Sequence, residues 1–231
     1  MKNGAALRAP KGNSESLRTR IKVCGITDLQ EAHAIVALGV DALGFIFAKG
    51  SLRRVEPEKV REIVRSLPPF VDAVGVFVDE DSEVVSEIIQ YCGLTMAQLH
   101  GSESPAYCAD FSCRVVKAFR LGSVEADLPD YGGYSGVVSG FLLDTYDREM
   151  AGGTGKTFDW RIVEANRPPG PVILAGGLDP GNVAEAVRQV RPFAVDLNSG
   201  VEIEPGRKSI AKVREAVLQV WKTDLALNEE P

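Results

Sequence analysis

Two residues stand out as able to move protons. Cys24 ends the stretch Ile21-Lys22-Val23-Cys24 and is followed by Gly25-Ile26-Thr27-Asp28. Ile21, Val23 and Ile26 suit a short buried strand. Gly25 permits a sharp exit, and Thr27 or Asp28 can cap a helix. A cysteine at such a strand end is a small buried hydrophobe, a nucleophile, or a thiolate base if a cation or helix N-terminus lowers its pKa. Asp144 follows the apolar run Phe141-Leu142-Leu143. It either caps a turn or, partly desolvated, keeps its proton near neutrality and serves as a general acid. A thiolate and a protonated carboxyl have opposed pKa shifts, which is the signature of an acid–base pair.

Other groups would hold a substrate. Leu174-Ala175-Gly176-Gly177-Leu178 precedes a capped helix, and Asn198-Ser199-Gly200-Val201-Glu202 follows an apolar strand. Glycines at such turns either only tighten the chain or bring backbone N–H groups close to an anion. Two such turns at late strand ends predict a phosphate site made by Gly176, Gly177, Ser199 and Gly200. Arg53 can pair a substrate carboxylate bidentately, with Arg54 as its rival. Gln98, His100 and Arg120 either line a pocket or hydrogen-bond the scaffold. Gly152-Gly153-Thr154-Gly155-Lys156-Thr157 resembles a nucleotide loop, but the P-loop pattern needs Gly where Met150 stands. A loop closing over substrate fits it better.

The elements that must position these groups alternate regularly. Strands are predicted at Ile21–Cys24, Ala42–Phe47, Val71–Val78, Thr95–His100, Arg114–Phe119, Phe141–Thr145, Pro171–Ala175 and Ala194–Leu197. Helical patterns lie between them, with Leu29, Ala32, Ile35 and Val36 in the first. Pro57 opens the second. The third, Asp81–Cys92, turns Val84, Val85, Ile88 and Ile89 inward. A short helix covers Ser104–Asp110, a helical turn Ser123–Leu128 and a helix about Asp159–Ala165. Asp179 caps the next, with Pro180 at its first position. The last, Ser209–Trp221, buries Trp221. The strands are continuous apolar runs, as in a sheet covered on both faces. Eight such units predict an α/β fold, a single (β/α)8 (TIM) barrel, with a disordered arm at 1–19, the barrel at 20–222 and a frayed tail at 223–231. A doubly wound sheet would need fewer strands and a G-x-G-x-x-G turn, which the sequence lacks. In a barrel the chemistry sits at the carboxyl ends of the strands, where Cys24, Arg53, Gln98, His100, Asp144 and both Gly turns would converge.

The 231 residues are 45% hydrophobic and 25% charged, with a formal net charge of -6. That balance argues against nucleic acid and membrane surfaces as partners. No apolar run reaches the roughly 18 residues of a membrane span. The four cysteines, Cys24, Cys92, Cys108 and Cys113, lack zinc-ligand spacing. They predict a reduced, cytoplasmic chain rather than a disulfide framework.

The same residues carry a family likeness. Lys22-Val23-Cys24-Gly25-Ile26-Thr27, Gln98-Leu99-His100-Gly101, Lys117-Ala118-Phe119-Arg120, Gly152 to Trp160, Leu174 to Leu178 and Ser199 to Glu202 resemble phosphoribosylanthranilate isomerase. The likeness runs in order from Ile21 to Trp221. It implies a cofactor-free and metal-free barrel of tryptophan biosynthesis, a monomer or homodimer. Such an enzyme converts N-(5-phosphoribosyl)anthranilate to 1-(2-carboxyphenylamino)-1-deoxyribulose 5-phosphate, a small-molecule phosphorylated substrate. By resemblance Cys24 is the general base, Asp144 the general acid and Arg53 the partner of the anthranilate carboxylate. Two positions depart from the family pattern: Leu52 stands where Pro commonly precedes the arginine, and Asn198 where Ser commonly precedes Ser199-Gly200. The alternatives are another sugar-phosphate barrel enzyme, or a nucleotide-dependent kinase using Gly152–Thr157.

Overall fold

The computed structural model describes residues 18–121, 129–145 and 160–229. Eight parallel strands close into a barrel: β1 (Arg20–Cys24), β2 (Ala42–Ile46), β3 (Asp72–Phe77), β4 (Met96–Leu99), β5 (Arg114–Arg120), β6 (Gly140–Asp144), β7 (Val172–Ala175) and β8 (Ala194–Leu197). The ring is closed by β1 pairing with β8, which sets Lys22 opposite Asp196. The helices are α1 (Leu29–Val36), α2 (Pro57–Ser66), α3 (Ser82–Cys92), α4 (Pro105–Ala109), α5 (Arg161–Ala165), α6 (Val183–Val190) and α7 (Ile210–Glu229).

Local chemistry explains most boundaries. The Asp28 carboxylate accepts from the backbone N–H groups of Gln30 and Glu31 and so starts α1. Pro57 occupies the first turn of α2, where no amide donor is needed. Alternation along each strand divides the core in two. Ile21, Val23, Leu43, Phe45, Leu99, Leu143, Leu174 and Val195 point outward and bury against the helices. Val116, Leu142, Ile173 and Ala194 meet inside the barrel, and nearer its mouth Cys24 packs with Ile46 and Val76.

Several details differ from the sequence pattern. Val84 is exposed rather than inward, because Val85 takes the core-facing position of α3. Helix α6 begins at Val183, not beside Pro180; the Asp179 carboxylate instead forms a turn, accepting from Gly181 and Asn182. A hairpin absent from the prediction, β9 (Glu202–Glu204) with β10 (Arg207–Lys208), follows β8. The tail predicted to fray is helical as far as Glu229, since α7 continues past Trp221. Its buried Asp224 accepts from Thr19 N at 2.6 Å and Thr19 Oγ1 at 2.8 Å, so the tail and the last residue of the predicted arm fix one another. Trp221 is exposed rather than buried, its ring edge lying against Gly39. The predicted turn at Ser123–Leu128 and the Gly152–Thr157 loop lie outside the described residues, as does Asp159.

Candidate active site

Cys24 and Asp144 occupy matching places in their strands. Each is the last residue of its strand, β1 and β6, and so each stands at the carboxyl end of the barrel. Each also faces inward. Cys24, 3% exposed, packs on Ile46 and Val76. Asp144 lies two residues beyond Leu142, which sits inside the barrel, and alternation gives it the same face. The chain leaves Cys24 through Gly25 at φ +77°, where the amides of Gly25 and Ile26 both donate to the Gly44 carbonyl.

Asp144 belongs to a short polar chain. His100 Nε2 lies 3.3 Å from its Oδ2, and His100 Nδ1 lies 3.3 Å from the buried Gln98 amide nitrogen. An amide can offer a ring either a donor or an acceptor. This chain gives Gln98 and His100 a shared place beside Asp144. Beneath the loop after β4, the Lys117 ammonium is buried against Glu103 at 3.2 Å and donates to the carbonyls of Leu99, Gly101 and Ala118. Glu103 in turn accepts from Asp79 N and Gly101 N. These bonds brace the backbone that presents His100.

Around Cys24 lies a network of charges that the sequence reading missed. Lys22 Nζ donates to Asp196 Oδ2 at 2.7 Å, with both side chains under a tenth exposed (8% and 6%). A methyl carbon built on Gly44 would stand 2.7 Å from Cys24 Sγ and 3.0 Å from Lys22 Nζ, so the thiol and the ammonium occupy one small space beside that glycine. Burial raises the Cys24 thiol above its ordinary pKa; Lys22 pulls against that by charge and hydrogen bond, and Asp196 adds to the rise. Burial also works against the charge on Lys22, but Asp196 and Cys24 outweigh it and hold Lys22 above its ordinary value. The signal was present in the sequence: Lys22 and Asp196 are charged residues inside apolar strands, at inward positions by alternation.

Arg53 is placed beside Gly25, where an added methyl would stand 3.0 Å from its Cδ. Its Nε and Nη2 grip Glu202 at 2.9 and 2.7 Å, a contact not anticipated from sequence. Glu202 also accepts from Lys208 Nζ at 2.8 Å, and Lys208 donates to Asn198 Oδ1 at 2.9 Å. Burial tends to raise the Glu202 carboxyl, but the bonds from Arg53 and Lys208 hold it below the ordinary value. Arg54 points elsewhere, half-exposed and paired with Glu56 at 3.5 Å. Arg120 is exposed at the end of β5.

The two Gly turns touch. Gly176 and Gly177 adopt φ of +98° and +62°, which an L side chain rarely takes. Gly200 lies in the 3₁₀ turn Ser199–Val201, pressed against Leu178; a methyl there would stand 2.2 Å from the Leu178 carbonyl oxygen. The turns after β7 and β8 therefore form one continuous surface.

Residues 21–219 match the family model of N-(5'-phosphoribosyl)anthranilate isomerase. The chain belongs to that family. A relative in Geobacter sp. (strain M21), named N-(5'-phosphoribosyl)anthranilate isomerase, is 50% identical over 206 residues, spanning 88% of this chain and 98% of the relative. The crystal structure of phosphoribosyl anthranilate isomerase from Thermotoga maritima superposes with a TM-score of 0.77 at 38% identity, covering 88% of this chain and 99% of that one. A further phosphoribosyl anthranilate isomerase, solved in complex with reduced 1-(o-carboxyphenylamino)-1-deoxyribulose 5-phosphate, superposes at 0.74 with 35% identity over 88% and 99% of the two chains. The isomerase likeness thus reaches from β1 through β8 and into α7.

Proposed function

We propose that the chain isomerises N-(5'-phosphoribosyl)anthranilate to 1-(2-carboxyphenylamino)-1-deoxyribulose 5-phosphate, a step of tryptophan biosynthesis, with Asp144 as general acid and Cys24 as general base. The observation that carries the assignment of roles is that both residues end their strands on the inward face at the same mouth of the barrel. Protonated Asp144 gives its proton to the furanose ring oxygen. The bond from that oxygen to C1' breaks and the nitrogen lone pair forms C1'=N. Cys24 thiolate then takes the proton from C2', and the electrons move to give a neutral enolamine. As the enolamine becomes the ketone, C1' gains a proton and the C2' hydroxyl loses one. The two residues return to their starting protonation states, and nothing is oxidised or reduced by an outside reagent.

The rest of the site orients the substrate. Backbone amides at Gly176, Gly177, Ser199 and Gly200 hold the phosphate. Arg53, aligned by Glu202, meets the anthranilate carboxylate. Gln98 and His100 keep Asp144 turned toward the ring oxygen. The purified chain, given N-(5'-phosphoribosyl)anthranilate without ATP, is expected to quench its fluorescence with saturable kinetics and to yield the carboxyphenylamino product. Absence of turnover by folded protein would overturn the reading.

A further inference from the structure

The pair Lys22–Asp196 is buried, with side chains 8% and 6% exposed, and it is a poor device for stability. Burying two charges carries a desolvation cost for each ion that their attraction must first recover. The recovery here is incomplete, because Asp196 Oδ1 is buried with no hydrogen-bond partner among the described residues. An apolar pair would fill the same wall at less cost. What the pair does have is position. Lys22 lies two residues before Cys24 on the same inward face of β1, and Asp196 lies opposite Lys22 in the β1–β8 register. Gly44 on β2 leaves open a space beside them that a side chain would have closed: a methyl there would crowd both Sγ and Nζ.

We propose that Lys22 is a positioning residue for proton abstraction: its ammonium, tethered by Asp196, donates to Cys24 Sγ and stabilises the thiolate that takes the substrate proton. The proposal rests on Cys24 being the base. The charged groups that act on the thiol are Lys22 on β1, Asp196 on β8 and Lys208 on β10, and β2 contributes the uncharged Gly44. Lys22 and Lys208 favour the thiolate and Asp196 opposes it. Asp196 has a double effect. It keeps Lys22 protonated in a buried place, and it shares the ammonium with the thiol, so that the thiolate is not fixed so strongly that it loses basicity.

This arrangement predicts changes of opposite sign. Lys22→Met removes the cation and should raise the pH at which Cys24 ionises by about 1–2 pH units, the size expected for a charge within hydrogen-bond range. Asp196→Asn leaves Sγ as the ammonium's remaining anion and should lower it by about 1 pH unit. The double variant Lys22→Met/Asp196→Asn, which leaves no unpaired buried charge, should lie above the parent. The readout is the rate of Cys24 alkylation by iodoacetamide against pH, followed in the Cys24-containing peptide by mass spectrometry, alongside the acid limb of kcat/KM. In Lys22→Met the activity near neutrality should fall by about tenfold for each pH unit that the ionisation of Cys24 moves upward. It should return at higher pH, with KM for the substrate little changed. A merely structural role would change folding or KM and leave both profiles in place. Alkylation profiles that coincide in parent and double variant would overturn the proposal, and so would displacements of the same sign in the two single variants. Alkylation profiles that move without the kinetic limb would overturn the assignment of Cys24 as base, a different failure from loss of the Lys22 coupling.

Discussion

Replacing Gly200 with alanine tests the phosphate site through its steric construction. The added methyl would stand 2.2 Å from the Leu178 carbonyl oxygen, 2.8 Å from its carbon and 2.9 Å from Asp179 Cβ. Two of those atoms are backbone, so no rotamer change relieves the clash, and the turns after β7 and β8 must part by about 1 Å to reach ordinary contact. Overpacking of this kind costs about 1–3 kcal/mol, which in a chain of this length lowers Tm by roughly 2–12 °C. The strands themselves are untouched and the barrel should still fold at 25 °C. A displacement of about 1 Å in a positioning group is enough to cost about 100-fold in kcat/KM. Steady-state turnover, monitored by substrate fluorescence, should therefore show a large rise in KM together with weaker competitive inhibition by inorganic phosphate. Gly136→Ala is the control for the clash: Gly136 has a positive φ, +77°, and nothing stands within 4 Å of the added methyl, so it should lose about 1 kcal/mol from backbone strain and keep its KM. If Gly200→Ala lowers Tm while KM and phosphate inhibition stay at parental values, the two turns do not form the phosphate cradle.

Further outcomes follow from the ion-pair network and from the Thr19–Asp224 bonds. Glu202→Gln should raise KM about tenfold with little change in kcat, because the Arg53 guanidinium loses the carboxylate that aligns it. Its folded pKa lies below the ordinary value, so Glu202 contributes stability that is complete above the unfolded carboxylate pKa and disappears as pH falls through the lower folded one. Acid melting curves of the parent should show that loss, and those of Glu202→Gln should lack it. Asp224→Ala should lower stability by about 2–4 kcal/mol, measured by urea denaturation, because it strands the buried N–H and hydroxyl of Thr19.

Periodicity carried the barrel because its strands are continuous apolar runs and its turns are marked by Gly, Asp and Pro. Those signals are local, and each needs only a few neighbours. The same logic put Cys24, Asp144 and the Gly turns at strand ends, where the structure also has them, because a place at a strand's end is itself a local fact. What it missed depends on contacts across the chain. The sequence assigns no partner to the Glu202 and Lys208 side chains, since nothing nearby shows that Arg53, 149 residues earlier, closes on Glu202. Thr19 read as part of a disordered arm because its partner, Asp224, lies 205 residues away. Lys22 differs: alternation puts it on the inward face, but only closure of the barrel by β1 and β8 supplies its partner, bringing Asp196 opposite it. Val84 shows the limit of helical spacing, where two adjacent valines compete and the packing of α3 buries only Val85.

The sharpest test of the acid–base assignment is kcat for Cys24→Ala and Asp144→Ala at saturating N-(5'-phosphoribosyl)anthranilate, with the fold of each verified by circular dichroism. Each should fall by about 100- to 10,000-fold while substrate still binds. Turnover by either folded variant within about tenfold of the parent would contradict the assignment, because general acid–base catalysis by that residue would then be dispensable.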